Sequence, residues 1–201
     1  MSPRPYRMER RRESTDENRQ RILDAARELL ASEEGTRFSL EEVARRAGVA
    51  RMTVYYQFGS LTGLLRALLD SLALAGGIDR LGDAFRQANS LEALDEFVAV
   101  FIGFWESDRT VIRGLSALAV LNPDLAAVLE ERYSWRRKGV GVLLERWTKQ
   151  TRGSALRDME AIADIIYMLT SFTTYDMLAR PGRSREQVTA LVQGLARRAL
   201  G

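Results

Sequence analysis

The chain contains no cysteine and no histidine among its 201 residues. Disulfides, thiolate nucleophiles, Ser-His-Asp catalysis and most zinc or haem sites are therefore excluded. We expect no metal and no cofactor. A helical enzyme would have to rely on carboxylates such as Glu106, Asp108 and Asp164, but their spacing suits helix surfaces and caps. We therefore expect a protein that is not an enzyme.

Proline is also scarce, since only Pro123 and Pro181 occur after the amino-terminal segment. Long helices are therefore permitted, and apolar residues recur at helical spacing along the chain while no segment alternates as a half-buried strand would. This pattern predicts an all-α protein. The sequence shows neither a clean apolar run long enough for a bilayer nor a signal-peptide pattern, and from this we expect a cytoplasmic protein.

Acidic residues are rare at the amino terminus, although the whole chain carries a net charge of only +3. Glu9 is the one acidic residue there before Glu13, and five arginines surround it. We predict a disordered basic arm over residues 1–15, which either follows DNA phosphates or stays solvated. The arginines are Arg4, Arg7, Arg10, Arg11 and Arg12.

Capping residues and glycines divide the remaining chain into helices. The first helix is expected to start at Thr15 or Asp16, and Ser39 with Glu42 forms a predicted capping box for the second. Later helices are predicted to begin at caps formed by Ser60, by Asn122 before Pro123, and by Ser184 with Gln187. Gly76-Gly77 ends the fourth helix and marks a domain boundary. We predict a small helical domain over 16–76 and a larger helical domain over 77–201.

Residues 39–58 carry the most functional information. They read as a short helix, a turn at Gly48 and a second short helix, which is the order of a DNA-binding helix-turn-helix. On the second helix, Arg51 can bond a guanine edge or a phosphate, and Thr53 can contact a phosphate or a thymine methyl. Val54 and Phe58 are expected to face the core, and Tyr55 is expected to lie nearer the core than the DNA.

The segment VARRAGVARMTVYYQFGS resembles the signature of the TetR family of bacterial transcriptional repressors. The resemblance implies a homodimer on a palindromic operator and a larger helical domain that binds a small-molecule effector. It places base-reading contacts at Arg51, Met52 and Thr53. It places DNA-backbone contacts at Ser39, Tyr55, Tyr56 and Gln57.

One position departs from the family pattern. The lysine that often follows the serine at position 60 is Leu61 here. The missing phosphate contact should weaken DNA binding and flatten its salt dependence by about one phosphate equivalent.

The larger domain is expected to hold the effector and the dimer interface. A subset of its aromatic residues could line a pocket for an apolar or aromatic effector. These candidates are Phe101, Phe104, Trp105, Trp135, Tyr167, Phe172 and Tyr175.

Four basic residues stand close together in the larger domain. Arg132, Arg136, Arg137 and Lys138 are interpreted as a solvated face, with neutralisation of an anionic effector as the alternative.

The last two long helices, predicted over 154–178 and 184–200, would form the dimer interface that the resemblance implies. The leading hypothesis is a repressor that an effector releases from its operator. The alternative is an architectural or activating DNA binder without a small-molecule ligand, which a fully packed larger domain would favour.

Overall fold

The computed structural model describes residues 4–32, 37–151 and 158–201, with side chains from residue 15 onward within those ranges. Every regular element in them is helical, which confirms the all-α prediction. Eleven α-helices follow one another in the described ranges, and a 3₁₀ turn at Ile78–Arg80 lies between the fourth and the fifth. They are α1 (Arg4–Ala31), α2 (Leu40–Ala47), α3 (Arg51–Phe58), α4 (Leu61–Ala75), α5 (Leu81–Arg86), α6 (Ser90–Ser107), α7 (Arg109–Leu121), α8 (Pro123–Gln150), α9 (Met159–Leu169), α10 (Phe172–Leu178) and α11 (Arg185–Ala199).

The helices form two compact units. The amino-terminal unit comprises residues 1–71 and 113–128, and the carboxy-terminal unit comprises residues 72–112 and 129–201. The amino-terminal unit packs α1, α2 and α3 around apolar side chains that are fully buried because each helix turns one apolar stripe inward. Its core includes Ile22, Leu29, Val43, Val54, Leu64 and Leu68.

The carboxy-terminal unit is organised around α6. This helix packs against α5, α10 and α11, and ten of its residues are buried, so it is apolar on more than one side. Gly139 of α8 lies against α6, where a β-carbon would come within 2.9 Å of the Phe97 ring. Helix α8 runs without a break from Pro123 to Gln150, through Gly139 and Gly141.

Several predicted helix boundaries are confirmed. Ser60 caps α4 by accepting a hydrogen bond from Gly63 N at 3.0 Å, and α4 ends at Ala75, directly before Gly76-Gly77. Asn122 accepts from Leu125 N at the start of α8. Ser184 and Gln187 form a complete capping box on α11.

Two other predictions are wrong. Helix α1 begins at Arg4, before Thr15 and Asp16, so the backbone of the basic arm is helical from Arg4 onward rather than disordered. The helix predicted over 154–178 is two helices, α9 and α10, with a break at Thr170 and Ser171. Residues 154–157 of that prediction lie outside the described residues.

Within the described ranges, no single helix is long and apolar enough to cross a membrane, and only α3 and α4 taken together, across a bend of 67°, meet that length and composition test.

Candidate functional site

The turn between α2 and α3 is built as the sequence predicts. Ser39 accepts a hydrogen bond from Glu42 N at 3.2 Å and caps α2. Gly48 ends the helix with φ 65°, a left-handed conformation that glycine adopts without the strain of a β-carbon. Val49 N then donates to Ala44 O at 3.0 Å. These bonds set the direction in which α3 leaves the turn.

The second half of the predicted capping box on α2 does not form. The Glu42 carboxylate accepts a hydrogen bond from Arg45 Nε at 2.9 Å instead of bonding the Ser39 N–H. This hydrogen bond is the main reason that the pKa of Glu42 lies below its ordinary value. Ser39 therefore keeps its capping role alone, and its half-buried position leaves part of the residue accessible.

Helix α3 presents most of its side chains to solvent. Val54 is fully buried and anchors the helix in the core, while Arg51 and Met52 are exposed and Thr53 is half-buried. An α-helix with a single buried position over two turns has a broad face available for a partner.

The two tyrosines of α3 lie on the solvent side. Tyr56 is 81% exposed and Tyr55 is 53% exposed. The expectation that Tyr55 belongs nearer the core is wrong, because its position immediately after Val54 turns it about 100° away from the buried stripe. Both phenols are therefore available for hydrogen bonds to an external acceptor.

Gln57 holds α3 against α1. Its Nε2 donates to Thr15 O at 3.2 Å, and its own carbonyl accepts from Arg19 Nη1 at 3.4 Å. The Arg19 guanidinium also lies 4.6 Å from the centre of the Phe58 ring, a cation–π contact. Sequence reasoning missed this positioning role of Arg19, since no local pattern links residue 19 to residues 57 and 58.

Comparison with known proteins identifies this region. The family model described as "Bacterial regulatory proteins, tetR family" matches residues 22–68. Residues 22–68 are therefore a TetR-family segment. The matched segment includes all seven residues, from Ser39 to Gln57, that the TetR resemblance implies as DNA contacts. That these residues contact DNA remains a prediction.

Curated relatives match part of this chain. The HTH-type transcriptional regulator AlkX of Mycobacterium tuberculosis is 35% identical over 117 residues, which are 55% of this chain and 52% of that protein. SrpR of Pseudomonas putida, also named as an HTH-type transcriptional regulator, is 41% identical over 56 residues, 28% of this chain and 26% of that protein. The matches thus span about half or less of the length of these relatives.

Solved structures share the fold over nearly the whole chain. A putative TetR-family regulator from Syntrophomonas wolfei superposes with a TM-score of 0.74 at 18% identity, covering 92% of this chain and 96% of that one. A putative TetR-family regulator from a Rhodococcus species gives 0.70 at 18% identity, covering 92% and 100%. The TetR-type architecture therefore extends through the carboxy-terminal unit.

Several of the predicted effector-pocket residues meet in one aromatic cluster inside the carboxy-terminal unit. The Trp105 ring lies 4.6 Å from Phe104, 6.1 Å from Phe101 and 5.7 Å from Phe172, between ring centres. All four side chains are buried. Phe97, which the sequence did not single out for this cluster, continues it at 4.8 Å from Phe101.

The other predicted pocket residues lie in different surroundings. Trp135 is 69% exposed and does not join the cluster. Tyr175 is buried and lies 5.8 Å from the Arg109 guanidinium, and burial is the main reason that its pKa is raised. Tyr167 is half-buried and contacts Arg136.

Arg136 is the functional candidate that the sequence assigned to the wrong environment. It is only 5% exposed, so it does not belong to a solvated face. It lies on the buried stripe of α8 because Leu129, Arg136 and Leu143 are separated by two helical turns each, and all three are buried. That spacing was the sequence signal that could have placed it.

Proposed function

We propose that this protein is a transcriptional regulator that binds a palindromic operator as a homodimer and represses transcription until a small-molecule effector releases it. The observation that carries the proposal is the exposed face of α3, which is anchored by Val54 and presents Arg51, Met52 and Tyr56 outward. The curated relatives, which are named as transcriptional regulators, support a regulatory rather than an enzymatic activity. Such a protein works in the cytoplasm, where bacterial DNA lies.

The side chains of α3 match the chemistry of a DNA major groove. Arg51 can donate two hydrogen bonds to a guanine edge, and Thr53 can offer a hydroxyl or a methyl group. The phenols of Tyr55 and Tyr56, with Ser39 at the start of α2, suit the phosphate backbone. Ala50 precedes α3 without a side chain that caps it, so the first amides of α3 are also suited to a phosphate oxygen.

The last helices are proposed as the dimer interface. Ile165 and Met168 on α9, Met177 on α10 and Leu191 on α11 are large apolar side chains exposed by 38% or more. A twofold interface buries the same patch from both subunits and sets two recognition helices at equivalent half-sites. The interface proposal now refers to α9, α10 and α11, because the predicted single helix is divided.

The aromatic cluster of the carboxy-terminal unit is proposed as the effector site. A ligand that binds one conformation of the dimer better than the other shifts the population between them. By thermodynamic linkage, the operator must then weaken effector binding by the same factor. In this scheme the released dimer holds its recognition helices at a separation that no longer matches two successive major grooves.

Selection of bound DNA from a random pool by the purified full chain tests the DNA-binding part. We expect an inverted repeat whose half-sites are separated by one helical turn or a multiple of it. Recovery of DNA without a common motif contradicts sequence-specific binding. A single unrepeated half-site contradicts the dimeric arrangement.

The repressor part needs a separate measurement. Transcription from a promoter that contains the selected operator should fall when the protein is added and recover when an effector is present. An increase on addition of the protein would instead favour the activating alternative. Repression that no effector relieves would show that the protein is a constitutive repressor.

A further inference from the structure

Arg136 is a buried cation held inside an aromatic cage. Its guanidinium carbon lies 4.3 Å from the Tyr167 ring centre and 5.4 Å from that of Tyr133. The ring centres of Phe101 and Trp105 are each 5.8 Å away. These are cation–π distances, so the side chain is surrounded by π faces on α6, α8 and α9.

The guanidinium is only partly satisfied. Nη1 donates to Thr170 O at 2.8 Å, while the buried Nε has no hydrogen-bond partner. Among the residues that the structure describes, no carboxylate is paired with Arg136. Burial is the main factor that lowers the pKa of this guanidinium, although it stays a cation at neutral pH.

Arg109 in the same unit shows what a purely structural arginine looks like here. Its Nε bonds the Asp176 carboxylate at 2.6 Å, its Nη1 bonds Ala179 O at 2.7 Å and its Nη2 bonds Asp176 O at 2.8 Å. All three nitrogens and a counter-charge are accounted for. Arg136 is more deeply buried than Arg109, yet its Nε is unpaired and it has no carboxylate partner among the described residues.

A buried charge without a counter-charge destabilises the folded state, because the lost hydration of the charge is not replaced by an ion pair. A ligand anion would remove that penalty by bonding the free Nε and neutralising the guanidinium. We propose that Arg136 binds the carboxylate of a monoanionic effector whose apolar or aromatic body packs on the surrounding rings. This inference rests on the proposed function, because it specifies the ligand class of the proposed effector site.

The charge and surroundings of Arg136 define the ligand further. One guanidinium neutralises one negative charge, so a second charge on the ligand would remain buried and uncompensated. The cage walls are aromatic and apolar, which favours a hydrophobic body over a sugar or a peptide. Tyr133 and Tyr167 are only half-buried, so we expect an acid to enter past these two rings.

Matched acids and amides test the proposal. Benzoate, naphthoate and octanoate are titrated into the full chain by isothermal calorimetry without DNA, each beside its neutral primary amide of nearly the same shape. We expect at least one acid to bind about tenfold or more tightly than its amide, the value of a hydrogen-bonded charge pair. The preference should be lost in Arg136→Met. It should be reduced in Arg136→Lys, because lysine keeps the positive charge but lacks the planar set of N–H donors of a guanidinium.

Arg137→Gln is the matched control. This exposed arginine is the next residue on α8, pairs with Asp164, and also lies 5.1 Å from the Tyr167 ring. Its variant should keep the acid preference. If no acid is preferred over its amide, or if the preference survives in Arg136→Met, the proposal is overturned. Arg136 would then serve only as a hydrogen-bond donor to the Thr170 carbonyl. Should Arg136→Met lose its helical circular dichroism, Arg136→Lys decides between the same two outcomes.

The titrations are independent of the operator. A protein that selects no DNA motif but prefers acids through Arg136 would contradict the proposed regulation and leave the anion site standing. A protein that selects an operator and shows no acid preference would support the proposed regulation and overturn the anion site.

Discussion

Trp105 and Arg136 donate hydrogen bonds to the same acceptor, the carbonyl oxygen of Thr170. The indole Nε1 of Trp105 lies 2.9 Å from this oxygen and Nη1 of Arg136 lies 2.8 Å from it. Thr170 is completely buried at the end of α9, where helix carbonyls lack intrahelical partners. The break between α9 and α10 is therefore stabilised by donors from α6 and α8, which are far away in sequence.

Removing both donors should lower the free energy of unfolding by more than the sum of the two single removals. Trp105→Phe and Arg136→Met each leave one donor on the Thr170 carbonyl, whereas the double variant leaves a buried carbonyl unsatisfied, at a cost of about 1–3 kcal/mol. Urea unfolding of the wild type, both single variants and the double variant measures the coupling. Trp147→Phe with Arg136→Met is the control pair and should be additive. Additivity in the Trp105 pair as well would contradict the shared-acceptor geometry.

Arg51→Ala should weaken operator binding. Arg51 is exposed on α3, and loss of a bidentate contact to a base should cost roughly 1–3 kcal/mol and relax selectivity at one operator position. Binding titrations on the selected operator and on its single-base variants measure both effects. Arg86→Ala, which removes another exposed arginine in the carboxy-terminal unit, should leave them unchanged. Unaltered binding by the combined Arg51→Ala and Thr53→Ala variant would show that α3 is not the recognition helix.

Leu61→Lys should restore a phosphate contact. Leu61 is the first residue of α4 and is half-buried, so a lysine there can extend its ammonium group into solvent. We expect tighter operator binding and a plot of log affinity against log salt that is steeper by about one unit. Leu61→Gln is the uncharged control and should leave the slope as in the wild type. An unchanged slope in the lysine variant would place residue 61 away from the DNA backbone.

Gly114→Ala should destabilise the amino-terminal unit. A β-carbon at this position on α7 would lie 2.2 Å from Leu30 O of α1, and the backbone cannot move aside as a flexible side chain could. The resulting strain should cost about 1–3 kcal/mol in the free energy of unfolding.

Gly141→Ala is the matched comparison for that variant. A β-carbon on this α8 glycine meets no described atom within 4 Å, so alanine should stabilise the helix by roughly 0.5–1 kcal/mol. Thermal or urea unfolding measures both variants. Equal effects at the two glycines would contradict the close approach of α1 and α7.

Local chemistry made much of the fold predictable. Ser39, Gly48, Asn122 and the Ser184–Gln187 pair each act on backbone groups within a few residues, so their patterns could be recognised in the sequence and were confirmed as caps and turns. The position of α3 was predicted for the same reason. Its contacts with DNA remain predictions, because they depend on a partner as well as on the chain.

Environments set by distant residues were not predictable. Tyr55 was expected nearer the core because its neighbours are apolar, but its direction depends on how α3 packs through Val54. The single helix expected over 154–178 is interrupted at Thr170, where donors from α6 and α8 satisfy the carbonyl. Helix propensity alone contains no information about those donors.

The sequence by itself determined the helical class, the order of most helices and the position of the helix-turn-helix. These follow from periodicity and capping, which act between near neighbours along the chain. Only the tertiary structure decided that Gln57 and Arg19 hold α3 against α1, and which aromatic rings surround Arg136. The choice of partners depends on which residues folding brings together, and separation along the chain does not show this.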